Sequence, residues 1–556
     1  MIQIINSFIL VLLYIFQTAL PLIAILILYF CFYSLFSNLS DSRVLVTLYD
    51  SSRNICIPVM YWENSIGRHK HCDIVIDSPV VTRDHAVLYR RDEGWFIADT
   101  NSKMGVFLNG KQIEKAEKVF IGDRLRIGDR ELILKKGAYG FFKRNCKKKR
   151  RLSSKEIPSA FMIFLTNIFH ILASLQLSYS EGKWNKEPLI LVSIIVGISW
   201  VYYFIFRFLF RRVNFELEIL GLFLSGIGII NSYSVSSESA YTQLFALTIG
   251  VIFFSCITFF IQNPDFAMRC RIYIAGLAVI LLIINLIFGQ VKNGSQNWIT
   301  LGNISVQPSE LVKVMFVFFG ASTLYGLQTA KNLTGFILFS CTCMGALFLM
   351  GDFGTACIFF VAFIVIAFMR SGSIRTIFLT LVSAGIGLTF ILKFKPYVVN
   401  RFAAWRHVWE HVNDIGYQQT RVLAYSASGG LLGMGIGRGC LKYIFAAPSD
   451  LVFGMLCEEW GLILSLLIII SIGIIGIYAR LCGLKSRSTF YSISSCAAAA
   501  IILFQMMMNV FGSTDIFPLT GVTLPFVSLG GSSLISTWGL LAFIKASDER
   551  TYGIKK

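Results

Sequence analysis

One carboxylate stands out in a C-terminal half that is otherwise apolar. Asp450 lies near the end of the polar stretch Gly416 to Leu462, at the mouth of a further apolar run. Ionisable groups at membrane depth are expensive, so such a residue is read first as part of a functional site. A carboxylate whose pKa is raised by partial burial can act as a general base toward a weakly acidic hydroxyl. Two more conspicuous polar segments flank it, Asn293 to Lys313 upstream and Pro518 to Leu534 downstream. If the intervening spans bring the three together, they form a polar pocket at one membrane face. A second chemistry is written near the N-terminus. There the fork-shaped guanidinium of Arg68 and the hydroxyl of Thr82 suit a phosphate dianion.

Three other patterns carry less. His407, Glu410 and His411 form an H-x-x-E-H run, which on a helix would set two imidazoles one turn apart as zinc peptidases require. No third ligand accompanies them, and a polar loop helix is the simpler reading, so no metal site is assigned. The glycine-rich tract Ser428 to Gly439 lacks G-x-G-x-x-G and follows no strand pattern, which argues against a nucleotide fold. Glu458 and Glu459 are read evenly as functional groups or as structural partners of buried Arg or Lys.

These residues need a scaffold, and the composition names its class. The 556 residues are 55% hydrophobic and only 15% charged, with a mean hydropathy of +0.67, as expected for a polytopic α-helical membrane protein. In that setting the net charge of +19 marks one side of the bilayer by the positive-inside rule, and nucleic-acid binding is not expected. The 13 cysteines form no external disulfide framework. Residues 1–40 hold one retained apolar helix, and 41–140 read as a small β-sandwich through runs such as CDIVI, AVLYR, WFIAD and ELILK. A polybasic linker, 141–157, precedes two helices in 158–212, ten more in 213–548 and a tail, 549–556.

The pattern predicts thirteen spans, one of them at 451–478, with Lys and Arg loops alternating to place the sandwich and the tail in the cytoplasm. The loops carrying Asn293 to Pro308 and Phe394 to Asp450 then face outward. Lys292, Lys313, Arg401 and Arg406 cluster near that face beside Asp450, and such cations suit a polyprenyl-pyrophosphate.

Gly67-Arg68, Thr82-Arg83-Asp84-His85 and Asn109-Gly110 resemble the signatures of the forkhead-associated (FHA) domain, a phosphothreonine-binding sandwich. The resemblance implies that Arg68 and Thr82 contact phosphate, Arg83 the adjacent peptide, and that His85 braces a loop. Lys103-Met104-Gly105 departs from the usual Thr-Asn-Gly. Lys103 can still meet phosphate, whereas Met104 cannot make the Asn bonds to a peptide backbone.

A second resemblance covers about Phe215 to Ala546. Asn293-Gly294-Ser295-Gln296-Asn297-Trp298, Gln307-Pro308-Ser309-Glu310-Leu311-Val312-Lys313, Gly351-Asp352-Phe353-Gly354, Gly416-Tyr417-Gln418, Ser428-Gly429-Gly430 and Leu524-Pro525 with Gly530-Gly531-Ser532 look like the SEDS family. That is the group of FtsW, RodA and SpoVE, ten-helix peptidoglycan polymerases of division, elongation and sporulation. The resemblance implies a peptidoglycan glycosyltransferase that polymerises lipid II at the outer face of the bacterial plasma membrane. Asp450 would be its catalytic acid, and Lys292, Trp298, Glu310, Lys313, Arg401, Gln418 and Ser428 its substrate-binding residues. Mg²⁺ or Mn²⁺ would be an aid to the departing pyrophosphate. The expected partners are a class B penicillin-binding transpeptidase and a phosphothreonine protein from a Ser/Thr kinase pathway. A lipid-linked precursor flippase without polymerase activity is the alternative. One acid at the outer face, in place of an ionisable chain through the midplane, favours the enzyme.

Overall fold

The computed structural model describes the chain apart from residues 1, 38–45, 60–62, 70–71, 92–93, 115, 137–156, 180–183, 293–294, 302–303, 325–329, 372–373, 395–398, 400–401, 404, 487, 549–550 and 552–556. The polybasic run 143–151 and Arg401 thus lie outside the described residues.

The sandwich strands lie between Val46 and Lys136, and their short alternating patterns explain their form. Val46–Asp50 buries every second residue, as a strand with one face on a core must. A six-stranded sheet runs β2(Ile55–Val59), β1(Val46–Asp50), β11(Arg130–Lys136), β10(Arg124–Ile127), β7(Val106–Leu108), β8(Lys111–Gln112). A five-stranded sheet runs β4(Ile74–Val75), β3(Glu63–Gly67), β5(Ala86–Arg91), β6(Gly94–Asp99), β9(Glu117–Val119). Leu48, Ile66, Leu88, Ile97, Val106, Leu125 and Leu134 belong to the core that the two sheets share. The Asn109-Gly110 pair joins Leu108 to Lys111 in a two-residue hairpin turn.

Among the described residues the membrane portion has thirteen helices of at least 17 residues, matching the spans read from the sequence. They are α1(Ile2–Ser37), α2(Ser159–Ser178), α3(Glu187–Phe204), α4(Glu216–Val235), α5(Ser237–Phe260), α7(Arg271–Phe288), α8(Pro308–Leu324), α9(Ala330–Met350), α10(Phe353–Ser371), α11(Ile374–Phe394), α15(Gly461–Leu484), α16(Thr489–Ser513) and α17(Gly531–Ser547). Four shorter helices complete the series: α6(Pro264–Arg269), α12(Tyr417–Ser428), α13(Ala447–Asp450) and α14(Val452–Glu459). Among the described residues nine helices are long and apolar enough to cross a bilayer by length and composition alone, so this is a multi-pass membrane protein. The remaining long helices include α8 and α17, which carry buried polar groups for each other. Glu310 pairs with Lys313 at 2.6 Å and accepts from Ser536 at 2.7 Å.

Two expectations need correction. The span read as 451–478 is two helices, because the chain turns at Gly461 with φ +85°, a conformation that side chains with a Cβ rarely adopt. A Cβ there would also stand 2.4 Å from Gly433 N, so the break is fixed by close backbone packing. The apolar span therefore starts at Gly461, and α14 is a separate buried segment. The segment after α7, read from the sequence as a loop, is more ordered than that. It forms three antiparallel strands, β12(Gln290–Lys292), β13(Ser295–Leu301) and β14(Ile304–Val306).

Candidate active site

Asp450 is the last residue of the four-residue helix α13, which follows Ala446 in a left-handed turn at φ +60°. Its backbone N–H donates to Ala446 O at 2.8 Å. Its own carbonyl accepts from Asn509 Nδ2 at 2.9 Å, and the same amide donates to Val522 O at 2.9 Å. One side chain of α16 thus ties the acid's backbone to the segment 518–534. Three more bonds reinforce that tie: Leu529 N donates to Pro448 O at 3.0 Å, Ser528 Oγ to Ser449 O at 2.5 Å, and Leu524 N to Ser528 Oγ at 2.8 Å. Gly521 lies beside the carboxylate, where a Cβ would stand 3.3 Å from Asp450 Oδ2.

The upstream segment reaches the same place. Gln307 N donates to Ser532 Oγ at 3.1 Å, at the start of α17. Asp352, buried in the turn between α9 and α10, accepts from Asn297 Nδ2 at 2.6 Å, Gln307 Nε2 at 3.4 Å and Thr355 N at 3.0 Å. Burial pushes its carboxyl up from the usual range, against the pull of the Thr355 bonds. The next residues of that turn pack on the downstream segment, since a Cβ on Gly354 would meet Thr520 O at 2.9 Å. The segment 518–534 therefore bonds both to the backbone beside Asp450 and to the segment 293–313.

The other residues expected at the site divide. Gln418 Nε2 donates to Phe445 O at 3.1 Å and so braces the approach to α13. Trp298, on β13, is half-buried. Glu310 and Lys313 are buried against each other, with Lys313 0% exposed, and form an ion pair one turn apart within α8. Ser428 is exposed and donates to Tyr425 O at 2.6 Å within its own helix. The backbone of Lys292 lies in β12, while its side chain falls outside the described residues, as does Arg401. Arg406 sits at φ +63° and its N–H donates to Asp515 Oδ1 at 3.4 Å. Burial raises the Asp515 carboxyl above its ordinary value, opposed by that bond and by the charges of Arg406 and His407.

Asn509, Gln419 and Asp515 were not singled out by the sequence. Gln419 Nε2 donates to Gly512 O at 3.3 Å, anchoring α12 to the end of α16. Isolated polar residues at helix ends carry no period or spacing that would mark them. Glu458 and Glu459 are buried, and the partners the structure gives them are backbone amides. Glu458 accepts from Cys440 N at 2.7 Å and Leu441 N at 2.9 Å, and Glu459 from Gly437 N at 2.9 Å. His407 Nδ1 stands 3.1 Å from Glu410, both exposed. Among the described residues no three His, Cys, Asp or Glu side chains gather as a metal site would need.

In the sandwich, Arg68, Arg83, Lys103 and Met104 are all exposed on neighbouring loops. Those loops are zipped by Arg68 N to Thr82 O at 3.0 Å and His69 N to Arg83 O at 3.1 Å. Buried His85 braces them: Thr82 N donates to its Nδ1 at 3.1 Å, and its Nε2 lies 3.3 Å from Gly105 O. Thr82 Oγ1 gives its proton to Asp84 O at 2.9 Å, a bond it must release to donate to a phosphate.

Residues 208–552 match the family described as cell cycle protein FtsW/RodA/SpoVE, and residues 64–128 match the FHA domain. Stage V sporulation protein E of Bacillus subtilis (strain 168) is 32% identical over 344 residues, covering 57% of this chain and 92% of that protein. A probable peptidoglycan glycosyltransferase FtsW of Buchnera aphidicola subsp. Acyrthosiphon pisum (strain APS) is 30% identical over 349 residues, 60% of this chain and 88% of that one. Among solved structures, a chain from a peptidoglycan synthase complex that coordinates polymerization and crosslinking shares the fold. It has a TM-score of 0.50 and 24% identity over 60% of this chain and 96% of its own. With its family match spanning more than half its length, the chain belongs to the FtsW/RodA/SpoVE family and carries an FHA domain besides.

Proposed function

We propose that this protein is a peptidoglycan glycosyltransferase that polymerises lipid II at the outer membrane face, with Asp450 as the general base. The seating of Asp450 against the segment 518–534, which also bonds to the segment 293–313, carries the reading. A hydroxyl of one disaccharide attacks the anomeric carbon of another. As the new glycosidic bond forms, the bond to the lipid pyrophosphate breaks, and Asp450 takes the hydroxyl proton. Charge then builds on the leaving pyrophosphate, for which the sequence offers Lys292, Arg401 and Arg406 as cations. Mg²⁺ or Mn²⁺, an ion that one or two carboxylates together with the substrate's phosphates suffice to hold, would aid the departing pyrophosphate.

The sidedness follows from the alternation of basic loops: sandwich and tail inside, Asp450 outside. The exposed Arg68, Arg83 and Lys103 form a cationic rim that suits a phosphothreonine peptide, which links polymerisation to a Ser/Thr kinase pathway. A class B penicillin-binding transpeptidase is the membrane partner that would crosslink the product.

The test is a lipid II polymerisation assay on the purified full chain, with and without that partner. Asp450→Asn should retain folding and membrane insertion while turnover falls by roughly 10² to 10⁴-fold, as removal of a general base does. Turnover by the variant above about a tenth of wild type ends the base assignment. Movement of lipid II across vesicles without glycan synthesis would establish the flippase instead.

A further inference from the structure

The helices α1 and α2 lie outside the residues that match the family, yet both reach the glycine-rich loop that leads into Asp450. Gln17, in the middle of α1, donates through Nε2 to Leu432 O at 2.9 Å and Gly433 O at 2.5 Å. Its own Oε1 lies 3.5 Å from Gln176 Nε2 on α2, so the second helix orients the first one's amide. Gln176 also stands against the loop, 3.4 Å from where a Cβ on Gly435 would be.

The loop needs such a holder. Gly430, Gly433, Gly435 and Gly437 all have positive φ, so no side chain stiffens its backbone. The carbonyls of Leu432 and Gly433 turn toward the apolar helix α1, where an unmet acceptor is costly. Beyond Gly433 each part of the loop is stapled to α14. Met434 N donates to Glu458 O at 2.9 Å, Gly435 N to Glu459 O at 3.1 Å, Gly437 N to the Glu459 carboxylate, and Cys440 N and Leu441 N to that of Glu458. Leu441 then packs with Val422, Ala447, Leu451 and Met455, the cluster that seats the helix carrying Asp450. A continuous set of contacts runs from Gln17 to the acid.

We propose that Gln17 is a positioning residue: with Gln176 it clamps the glycine-rich loop, and through it the approach of Asp450 to substrate. The inference rests on the polymerase reading above. The FHA-bearing segment is inserted in the sequence between α1 and α2, so the clamp is built from the two helices this chain adds on either side of that insertion.

Initial rates on lipid II, melting temperature and amide hydrogen exchange are measured on full-length wild type, Gln17→Leu, Gln17→Glu, Gln17→Asn and Gln176→Leu. Gln17→Leu should lower kcat roughly ten- to a hundredfold with KM within about twofold, as a small misplacement of a reacting group does. Exchange should quicken over 432–441 and nowhere else, and the melting temperature should hold. Gln17→Glu, which sets a carboxylate against two carbonyls, should lose at least as much. Gln17→Asn keeps the donor on a shorter arm and should recover part of the loss. Wild-type kcat and exchange in Gln17→Leu overturn the proposal, and so does a loss matched by lower melting and faster exchange throughout. Should Gln17→Leu fail to fold, Gln176→Leu decides by the same two readouts. If wild type itself makes no glycan, the polymerase reading falls, and exchange over 432–441 still tells whether Gln17 holds the loop.

Discussion

The two sites of this chain are built in opposite ways. The basic rim of the sandwich is local: Arg68, Thr82, Arg83 and Lys103 sit within about one domain's length of sequence, on loops zipped by adjacent backbone bonds and one buried histidine. Its charges are exposed before any ligand arrives. The site around Asp450 is assembled from distant pieces. Asn509, Ser528, Ser532 and Gln17 each reach by their side chains from one helix or segment to the backbone of another. In a bilayer, irregular backbone is tolerated only where protein groups satisfy it, which accounts for the cross-bracing around Asp450. The sandwich loops, open to water, needed no such bracing.

That contrast can be broken experimentally, most severely at the membrane site. Asn509→Leu removes both bonds that join the Asp450 backbone to Val522, and should lower kcat by roughly a hundredfold while leaving the sandwich's phosphopeptide affinity untouched. Equal turnover would show that the segments hold Asp450 without it. Arg68→Ala should do the reverse. Each lost charge-assisted bond contributes about 1.5 to 3 kcal/mol, so phosphothreonine-peptide binding, followed by titration calorimetry, should weaken about tenfold or more. Lipid II turnover without phosphopeptide should stay at the wild-type level.

A gain of function sharpens the comparison. Met104 is 54% exposed and offers nothing to a peptide backbone, so Met104→Asn should tighten phosphopeptide binding several-fold, by about 1 kcal/mol for a new hydrogen bond. The isolated segment 41–140 should match the full chain in that titration, because its site is closed within one core. Unequal affinities would mean that the site is completed elsewhere.

The smallest expected effect is a pH dependence confined to the sandwich. Burial pushes the Asp50 carboxyl up, but bonds from Ser52 and Arg53 and the charge of Arg130 outweigh it and hold the pKa below its usual value. A carboxyl depressed in the folded state stabilises above its unfolded pKa, about 3.9, and loses that contribution as pH falls through the folded value. The melting temperature of segment 41–140 should therefore fall below about pH 4 more steeply for wild type than for Asp50→Asn.

Local signals account for what could be read without coordinates. The alternation of WFIAD gave β6 and that of ELILK gave most of β11, because a half-buried strand repeats every two residues. Apolar runs near the bilayer length marked the long helices for the same kind of reason. Asp450 was legible too, since a lone acid beside an apolar run is costly enough to be conspicuous. Motif order identified both halves before any geometry was known. The break at Gly461 was hidden, because a glycine inside an apolar run looks the same whether the helix continues or turns. Only its packing on Gly433 decided it. Glu310 and Lys313 were named through the family motif, and only the tertiary structure shows that they are buried as an ion pair. Asn509, Gln419 and Gln17 have no pattern of their own. Their roles exist only because distant helices meet, and a contact between positions hundreds of residues apart is a property of the packed bundle that composition and spacing do not encode.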